Sequence, residues 1–255
     1  TLALVTALLL GRALKNRRDL LMAGAIWYLA SLTLLVSQSR SFWIGGALVF
    51  ATLLWLAHRR FGFDPRRVAS VGLLAAFVVF TQSSVVSLVT GADAGLYRRL
   101  QDIPTEPAGA SRLNQVGPLA SMIAAHPLLG SGFGTAVTYQ SLDPRIVKSH
   151  PGGWITTTAF ELGYLDVALK TGLIGLGILV VLVAAIAYAC LTVPLASPWA
   201  ATAMGWGVAL IGVAATHAFS PYLTHPLGLG VLLFAGSVAV AARTQHQLTQ
   251  TAGAR

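Results

Sequence analysis

One uncharged stretch decides the class of fold, and it runs TGLIGLGILVVLVAAIAYACLTVPLASPWAATAMGWGVALIGVAATHAFSPYLTHPLGLGVLLFAGSVAVAA over residues 171–242. It contains no Asp, Glu, Lys or Arg, and its prolines divide this part of the chain into helices near 166–193, 199–217 and 226–242. About 20 apolar residues in a helix cross a bilayer core. Unbroken apolarity favours helices, because the strands of a membrane barrel alternate apolar and polar residues. The stretch therefore predicts three transmembrane helices.

The rest of the chain has the same character. Of the 255 residues, 55% are apolar and only 10% are charged, whereas a soluble domain carries roughly 25% charged residues. Uncharged stretches also lie at 20–39, 41–57 and 68–92, and we expect an apolar segment before Gly11 to be a further span, cut short because the chain begins inside or just before a membrane helix. The composition excludes a water-soluble fold. It predicts an all-α, polytopic transmembrane bundle of about seven spans, forming one N-terminally truncated domain over residues 1–255.

Positive charge is distributed unevenly between the predicted connectors. Basic residues fill the first and third connectors, at Arg12, Lys15, Arg17, Arg18, Arg59, Arg60, Arg66 and Arg67. The connector between them holds only Arg40. Short loops rich in Lys and Arg stay in the cytoplasm, so we expect Arg40 and residues 91–163 on the outer face and the C-terminal tail inside. Topology also explains most of the net charge of +9, and no basic stripe with interleaved aromatic residues predicts nucleic-acid binding.

Residues 91–163, between the predicted fourth and fifth spans, form a large extracytoplasmic loop that carries much of the polar chemistry. Part of the loop is predicted to be helical, from apolar residues at three- and four-residue spacing: Leu113, Val116, Leu119 and Ile123. Gly117-Pro118 is expected to kink or restart this helix, and His126-Pro127 to end it. Two arrangements remain open. Either the helix lies along the membrane surface with Arg112 directed into water or a cleft, or it packs on the spans with Arg112 solvated.

The sequence predicts neither a metal site nor a cofactor. His126 and His150 have no paired carboxylate motif, and His217 and His225 flank a short outer turn, so these histidines are interpreted as interfacial or hydrogen-bonded. No Asp or Glu lies within the predicted spans, apart from Asp166 at the outer end of the fifth. Ion-coupled transporters generally keep such residues inside the membrane. The polar chemistry is therefore expected at the outer surface.

Three groups of motifs follow one another along the chain. The first is SQSRSFWIGG at 37–46, the second is SRL at 111–113 followed by HPLLGSGFG at 126–134, and the third is GYL at 163–165 followed by KTGLIGL at 170–176. In order, spacing and topology they resemble the motifs of the O-antigen ligase and polymerase superfamily. The glycines of the second group are expected to permit tight backbone turns.

That resemblance implies a fold and an activity. The fold is that of a membrane glycosyltransferase with a helical extracytoplasmic loop, in the bacterial inner membrane, with its active face periplasmic. The implied enzyme takes saccharide from a polyprenyl-pyrophosphate-linked donor at the outer leaflet and passes it to a glycan or glycolipid acceptor, in lipopolysaccharide or other surface polysaccharide assembly. Membrane lipids surround it, and no metal, cofactor or nucleotide sugar is expected. The choice between ligase and polymerase remains open.

The resemblance and the chemistry together select candidate residues. Arg40 and Arg112 are predicted to bind the donor pyrophosphate and stabilise it as it leaves, because guanidinium groups bind phosphate through two hydrogen bonds. Ligases of the family place a histidine just before the "YL" segment, where this chain has Glu161. Glu161 is predicted to act as the base for the acceptor hydroxyl. This departure favours a polymerase-like or exopolysaccharide-type member. His126, His150 and Tyr164 are predicted substrate-binding residues.

Structural roles for the same residues remain as alternatives. Arg40 could instead extend towards the lipid headgroups as an interfacial arginine, and Glu161 could stabilise a helix N-terminus. Two other classes of function are also retained. A flippase or transporter for lipid-linked saccharide needs a hydrophilic path through the spans, and a non-catalytic membrane scaffold would bind partners without needing the arginines.

Overall fold

The computed structural model describes residues 17–37, 39–90 and 107–253. Its long helices are α1 Arg17–Val36, α2 Arg40–Arg59, α3 Pro65–Thr90, α6 Gly163–Leu191, α7 Ala200–His217 and α8 Pro226–Gly253. Between α3 and α6 lie helices α4 Pro107–Ala125 and α5 Pro144–Ser149, and strands β1 Val137–Gln140 and β2 Trp154–Thr157. Short 3₁₀ turns occupy Pro151–Gly153 and Tyr222–Thr224.

The helices confirm a membrane bundle of the all-α class. Among the described residues, five helices are long and apolar enough to cross a membrane, namely α2, α3, α6, α7 and α8. The apolar part of α1 is shorter, Gly24–Val36. The total of seven spans stays a prediction, because the segment before Gly11 lies outside the described residues. Residues 91–106 of the predicted outer loop lie outside them as well.

Helix α7 packs against α2, α6 and α8. Its side chains Ala203, Met204 and Val208 are almost fully buried. Glycines at two of these helix contacts allow α2 and α6 to approach α7 closely. A Cβ atom on Gly207 would lie 2.7 Å from the Cβ of Cys190 in α6, and one on Gly45 of α2 would lie 2.7 Å from a carbonyl oxygen of α7. Small residues of this kind let helices approach closely inside a membrane.

Arginines close the end of the bundle where α6 finishes. The guanidinium of Arg60 donates to the carbonyl oxygens of Leu191 and Val193, the second at 2.8 Å. Arg243 donates to the hydroxyl of Thr192 at 3.4 Å. The last carbonyls of a helix lack partners within the helix and carry partial negative charge, so cationic donors stabilise them. The basic residues that predicted a cytoplasmic face thus also have a structural role.

Helix α6 is broken at Gly172, where φ is 69° and ψ is −174°. The segment that follows α4, residues 126–134, docks into this break and is called the docking loop below. The amides of Ser131 and Gly132 donate to the carbonyls of Leu169 and Lys170, at 2.7 and 3.1 Å. In return, two amides of α6 donate to the loop. They belong to Leu173, at 2.8 Å from the Pro127 oxygen, and Ile174, at 3.3 Å from the Leu128 oxygen. The loop therefore replaces hydrogen bonds that the broken helix loses.

Glycine is required on both sides of this junction. Gly130 and Gly172 both have positive φ. A Cβ on Gly130 would lie 2.5 Å from the amide nitrogen of Gly172, and a Cβ on Gly172 would overlap the carbonyl group of Leu128. Gly132 and Gly134 also have positive φ. The prediction that these loop glycines permit tight turns is confirmed. The HPLLGSGFG motif thus has a structural role, because its backbone forms hydrogen bonds with α6 at the break.

Two local predictions are settled by α4. The helix ends at Ala125, immediately before His126-Pro127, as predicted. It continues without interruption through Gly117-Pro118, so the predicted restart does not occur. A proline in a helix interior removes one backbone hydrogen bond, and the packing of α4 on β1 and α6 stabilises the helix despite that loss.

Candidate functional site

The buried face of α4 is partly polar, and this corrects the sequence prediction. Leu119 is fully buried, against Val137, Phe160 and Leu169, and Ile123 packs beside them. Leu113 and Val116, predicted on the same apolar face, are 74% and 40% exposed. Their place is taken by two buried polar residues, which are Ser111 and Gln115. Polar side chains can be buried there because each has a hydrogen-bond partner.

One ion pair joins α4 to the start of α6. Arg112 Nε lies 2.5 Å from Glu161 Oε2, with the side chains 31% and 49% exposed. The two residues come from motifs 49 positions apart in the chain, and the structure brings them into direct contact. An exposed pair of this kind contributes at most about 1 kcal/mol to stability. Its exposure also keeps both groups within reach of a ligand.

Gln115 holds the main chain of Glu161. Its Oε1 accepts the Glu161 amide at 3.3 Å, and its Nε2 donates to the hydroxyl of Tyr139 at 3.0 Å. Gln115 is 2% exposed and Tyr139 is 4% exposed. Sequence reasoning missed this residue. The available signal was its position three residues after Arg112, since residues at that spacing lie side by side on a helix.

Tyr164 ties the start of α6 to the end of α7. Its hydroxyl donates to the carbonyl oxygen of Ala214 at 2.8 Å, and its ring meets that of His217 edge to face, with centroids 4.8 Å apart. His217 is fully buried, and its Nδ1 accepts the amide of Leu223 at 3.1 Å. The interpretation of His217 as a hydrogen-bonded histidine is confirmed. The ring contact with His217 and the hydrogen bond to Ala214 therefore fix the position of Tyr164, three residues after Glu161.

Arg40 lies at the same end of the bundle. It is half-buried at the first position of α2. Beside it, the Ser41 hydroxyl lies 3.2 Å from that of Ser220, and Thr216 donates to the Ser41 carbonyl at 3.3 Å. Thr216 precedes His217, whose ring contacts Tyr164. Arg112 and Glu161 contact each other directly. Arg40 is connected to them only indirectly, through the contacts of Ser41, Thr216 and His217 with their neighbours.

The two predicted histidines have other surroundings. His126 is exposed, and its carbonyl accepts the amide of Gly130 at 3.0 Å, which closes the turn after α4. His150 is exposed, with Nδ1 at 3.0 Å from the Ser149 hydroxyl. Among residues 17–37, 39–90 and 107–253, no hydrogen bond, ion pair or ring contact joins either histidine ring to Arg112 or Glu161. Their substrate-binding roles stay predictions.

The chemistry available at the site is that of a carboxylate and a guanidinium side by side. The carboxylate can accept a proton. The guanidinium carries five N–H donors, and the recorded contact with Glu161 is made by Nε. Over the described part of the chain, no group of three His, Cys, Asp or Glu side chains is placed to hold a metal ion.

An apolar cavity of about 540 Å³ lies between α1, α2, α7 and α8. Phe42, Gly45 and Gly46 of α2 line it on one side. Thr216 and Tyr222 line it near the end of α7. The cavity therefore begins within two residues of Arg40 along the chain and runs along the part of α2 that is predicted to be inside the membrane.

Comparison with known protein families matches residues 24–180 to the family described as O-antigen ligase. The match covers more than half of the chain and includes Arg40, Arg112, the docking loop and Glu161. No curated protein and no solved structure matches the chain. The three groups of motifs, between Ser37 and Leu176, all fall inside the matched region. The chain therefore belongs to the O-antigen ligase family.

Proposed function

We propose that this protein is a membrane glycosyltransferase that transfers or polymerises saccharide from a polyprenyl-pyrophosphate-linked donor at the outer leaflet. The acceptor is a glycan or glycolipid of the cell envelope. The observation that carries the proposal is the direct contact between Arg112 and Glu161, at 2.5 Å and partly exposed. It sets an anion-binding group next to a proton acceptor, as transfer from a pyrophosphate donor needs.

In the proposed reaction, the oxygen of an acceptor hydroxyl bonds to the anomeric carbon of the donor sugar. The bond from that carbon to the pyrophosphate oxygen breaks, and its electron pair leaves with the polyprenyl pyrophosphate. The acceptor proton passes to the Glu161 carboxylate. The pyrophosphate gains negative charge as it leaves, and the guanidinium groups of Arg112 and Arg40 stabilise that charge through short, charge-assisted hydrogen bonds.

The apolar cavity beside α2 supports a lipid-linked donor. Its walls are mostly apolar, with Thr33 and Thr216 among the lining residues, and the lining includes Phe42, two residues after Arg40. A polyprenyl chain is a hydrocarbon of matching polarity, and burying it contributes about 25 cal/mol per Å² of apolar surface. A donor with its pyrophosphate near Arg40 and its polyprenyl chain in this cavity would match both the charge of Arg40 and the apolar lining.

The test is transfer from a synthetic polyprenyl-pyrophosphate saccharide by the full-length protein in vesicles. Arg112→Ala is expected to lower kcat roughly 100-fold or more, the effect of removing one charge-stabilising donor. Glu161→Gln, which cannot accept the proton, is expected to lower it by roughly 100- to 10,000-fold. Arg40→Ala should mainly raise the KM for the donor. The products also separate the two family activities, because a polymerase yields a ladder of repeat units and a ligase a single transfer.

Lys148→Ala is the matched control, since Lys148 is an exposed cation of the same region. It should leave turnover unchanged. Wild-type turnover in all three site variants would reject these residues as the site. Movement of labelled donor across the vesicle membrane without any new glycosidic bond would instead indicate a flippase. Binding of protein partners that is independent of saccharide and of the arginines would indicate a scaffold.

A further inference from the structure

The docking loop exposes three large apolar side chains. Leu128 is 62% exposed, Leu129 is 77% exposed and Phe133 is 84% exposed. They fall within six consecutive residues, so three large exposed apolar side chains are concentrated in one short loop. Exposed apolar surface that is concentrated rather than scattered indicates contact with protein or membrane.

The backbone of the same loop is attached to a membrane-spanning helix. The amides of Leu173 and Ile174 in α6 donate to the loop carbonyls of Pro127 and Leu128. Both α6 side chains are about half exposed, and further along the helix Ile178 is 64% exposed. The apolar surface of the loop is therefore attached directly to the first residues of the lipid-facing surface of α6.

The charges of α6 give the depth of this junction. Asp166 and Lys170 are ion-paired at 2.7 Å, and Lys170 is the last charged residue before Arg243. The uncharged part of α6, from Leu173 to Leu191, has a length of about 28 Å at 1.5 Å per residue, which matches the roughly 30 Å hydrocarbon core of a bilayer. The break at Gly172 therefore lies at the boundary between headgroups and hydrocarbon.

Non-helical backbone at this depth needs internal hydrogen bonds, because lipid offers none. The docking loop has them. Its amides at Ser131 and Gly132 donate to α6, and its carbonyls at Pro127 and Leu128 accept from α6. The junction is thus suited to a low-polarity environment, and its large side chains are left exposed by the described residues 17–37, 39–90 and 107–253.

From this geometry we infer that the docking loop is a re-entrant membrane wedge, with Leu128, Leu129 and Phe133 inserted among the lipid chains of the leaflet at which α6 begins. The occupant of the exposed apolar surface is lipid. Because α4 ends directly at this loop, the wedge fixes the depth of α4, and with it the height of Arg112 and Glu161 above the hydrocarbon. The inference does not depend on the proposed enzymatic activity.

Spin labels measure this depth. The variants Leu129→Cys and Phe133→Cys of the full chain, each retaining the buried Cys190, are labelled with a nitroxide and reconstituted in phosphatidylethanolamine–phosphatidylglycerol vesicles. Collisions of the label with oxygen, which concentrates in lipid, are compared with collisions with a water-soluble nickel chelate. Ile178→Cys is the lipid-exposed reference. Leu142→Cys is the matched control, a leucine that is 60% exposed and lies two residues after the end of β1. Wild-type protein is labelled in parallel, since its single cysteine, Cys190, is fully buried.

The wedge predicts that the ratio of oxygen to nickel collisions at positions 129 and 133 resembles that at 178 and exceeds that at 142 several-fold. A ratio like that at 142 would place the loop in water and overturn the inference. Shielding of both labels from both reagents would also overturn it, because protein rather than lipid would then cover the surface. Leu128→Cys provides a third position should either variant fail to fold in gel filtration.

Discussion

Among single residues, Gln115 determines most directly where Glu161 stands. Replacing it by methionine keeps the approximate shape but removes both hydrogen bonds, to the Glu161 amide and to the Tyr139 hydroxyl. A buried group left without a partner costs about 1–3 kcal/mol. We therefore expect Gln115→Met to lower the unfolding temperature and also to lower kcat, because the carboxylate of Glu161 is no longer held in place.

Tyr139→Phe is the matched variant for that measurement. It removes the hydroxyl that Gln115 donates to but keeps the contact between Gln115 and Glu161. Its unfolding temperature should fall by a similar amount while kcat is largely retained. Equal losses of kcat in the two variants would show that Gln115 contributes only to stability.

The ion pair permits a second test at residue scale, through Arg112→Lys. Lysine keeps the positive charge near Glu161 but presents it as a compact ammonium, without the planar fork that binds phosphate through two hydrogen bonds. We expect donor turnover between that of wild type and that of Arg112→Ala, with little change in unfolding temperature because the pair is partly exposed. Full activity with lysine would contradict pyrophosphate binding by the guanidinium.

The contrast between Arg112 and Gln115 shows which site residues a sequence can reveal. Arg112 and Glu161 could be selected as candidates because charged groups are rare in this chain, and because Arg112 lies in the SRL motif and Glu161 two residues before the GYL motif. Gln115 was not, because a buried polar residue is favourable only when tertiary structure supplies its partners. The same reason explains the error at Leu113 and Val116. Periodicity ranks apolar residues for burial, whereas Ser111 and Gln115 are buried through hydrogen bonds to β1, its flanking residue and Glu161.

At the scale of elements, the junction between the docking loop and α6 should respond sharply to added side chains. Alanine at Gly172 or Gly130 would have to adopt positive φ and would meet the opposing backbone. Positive φ alone costs about 1–3 kcal/mol for a residue with a Cβ. Both variants are expected to lower the unfolding temperature in detergent micelles and to increase proteolysis between α4 and β1.

Gly177→Ala is the control for those two variants. Gly177 lies in the same helix, and a Cβ there would meet nothing within 4 Å. Its replacement should leave stability unchanged or raise it by up to about 1 kcal/mol, the helix propensity difference between alanine and glycine. If all three glycines tolerate alanine equally, the close contact between the docking loop and α6 is not required for the fold.

The elements themselves were predictable to different degrees. Long apolar stretches predicted α2, α3, α6 and α7 and the start of α8 to within a few residues, because a membrane span needs a minimum apolar length. Helix α8 continues beyond the predicted end at residue 242 to Gly253. The break at Gly172 was not foreseen, since glycine is common in membrane helices and the break depends on the docking loop. The two strands β1 and β2, which pair antiparallel, were also missed. Strands of four residues carry too short an alternation to be distinguished from loop sequence.

At the scale of the whole molecule, the two ends of the bundle are built differently. At one end, Arg60 donates to the carbonyl oxygens of Leu191, the last residue of α6, and of Val193 just beyond it. At the other end, the Arg112–Glu161 pair remains partly exposed. The positive-inside rule assigns the first end to the cytoplasm. Under that rule the candidate site is predicted to face outward, as the proposed transfer from a lipid-linked donor at the outer leaflet requires.

That orientation leads to a prediction for intact cells. Leu142→Cys, 60% exposed in the α4–α6 region, should react with a membrane-impermeant maleimide before the cells are opened. Phe63→Cys, 41% exposed in the connector from α2 to α3, should react only after permeabilisation. The buried Cys190 of the unmodified chain should remain unlabelled in both cases. The opposite pattern would place Arg112 and Glu161 in the cytoplasm, and a transfer reaction at the outer leaflet would then be impossible for this site.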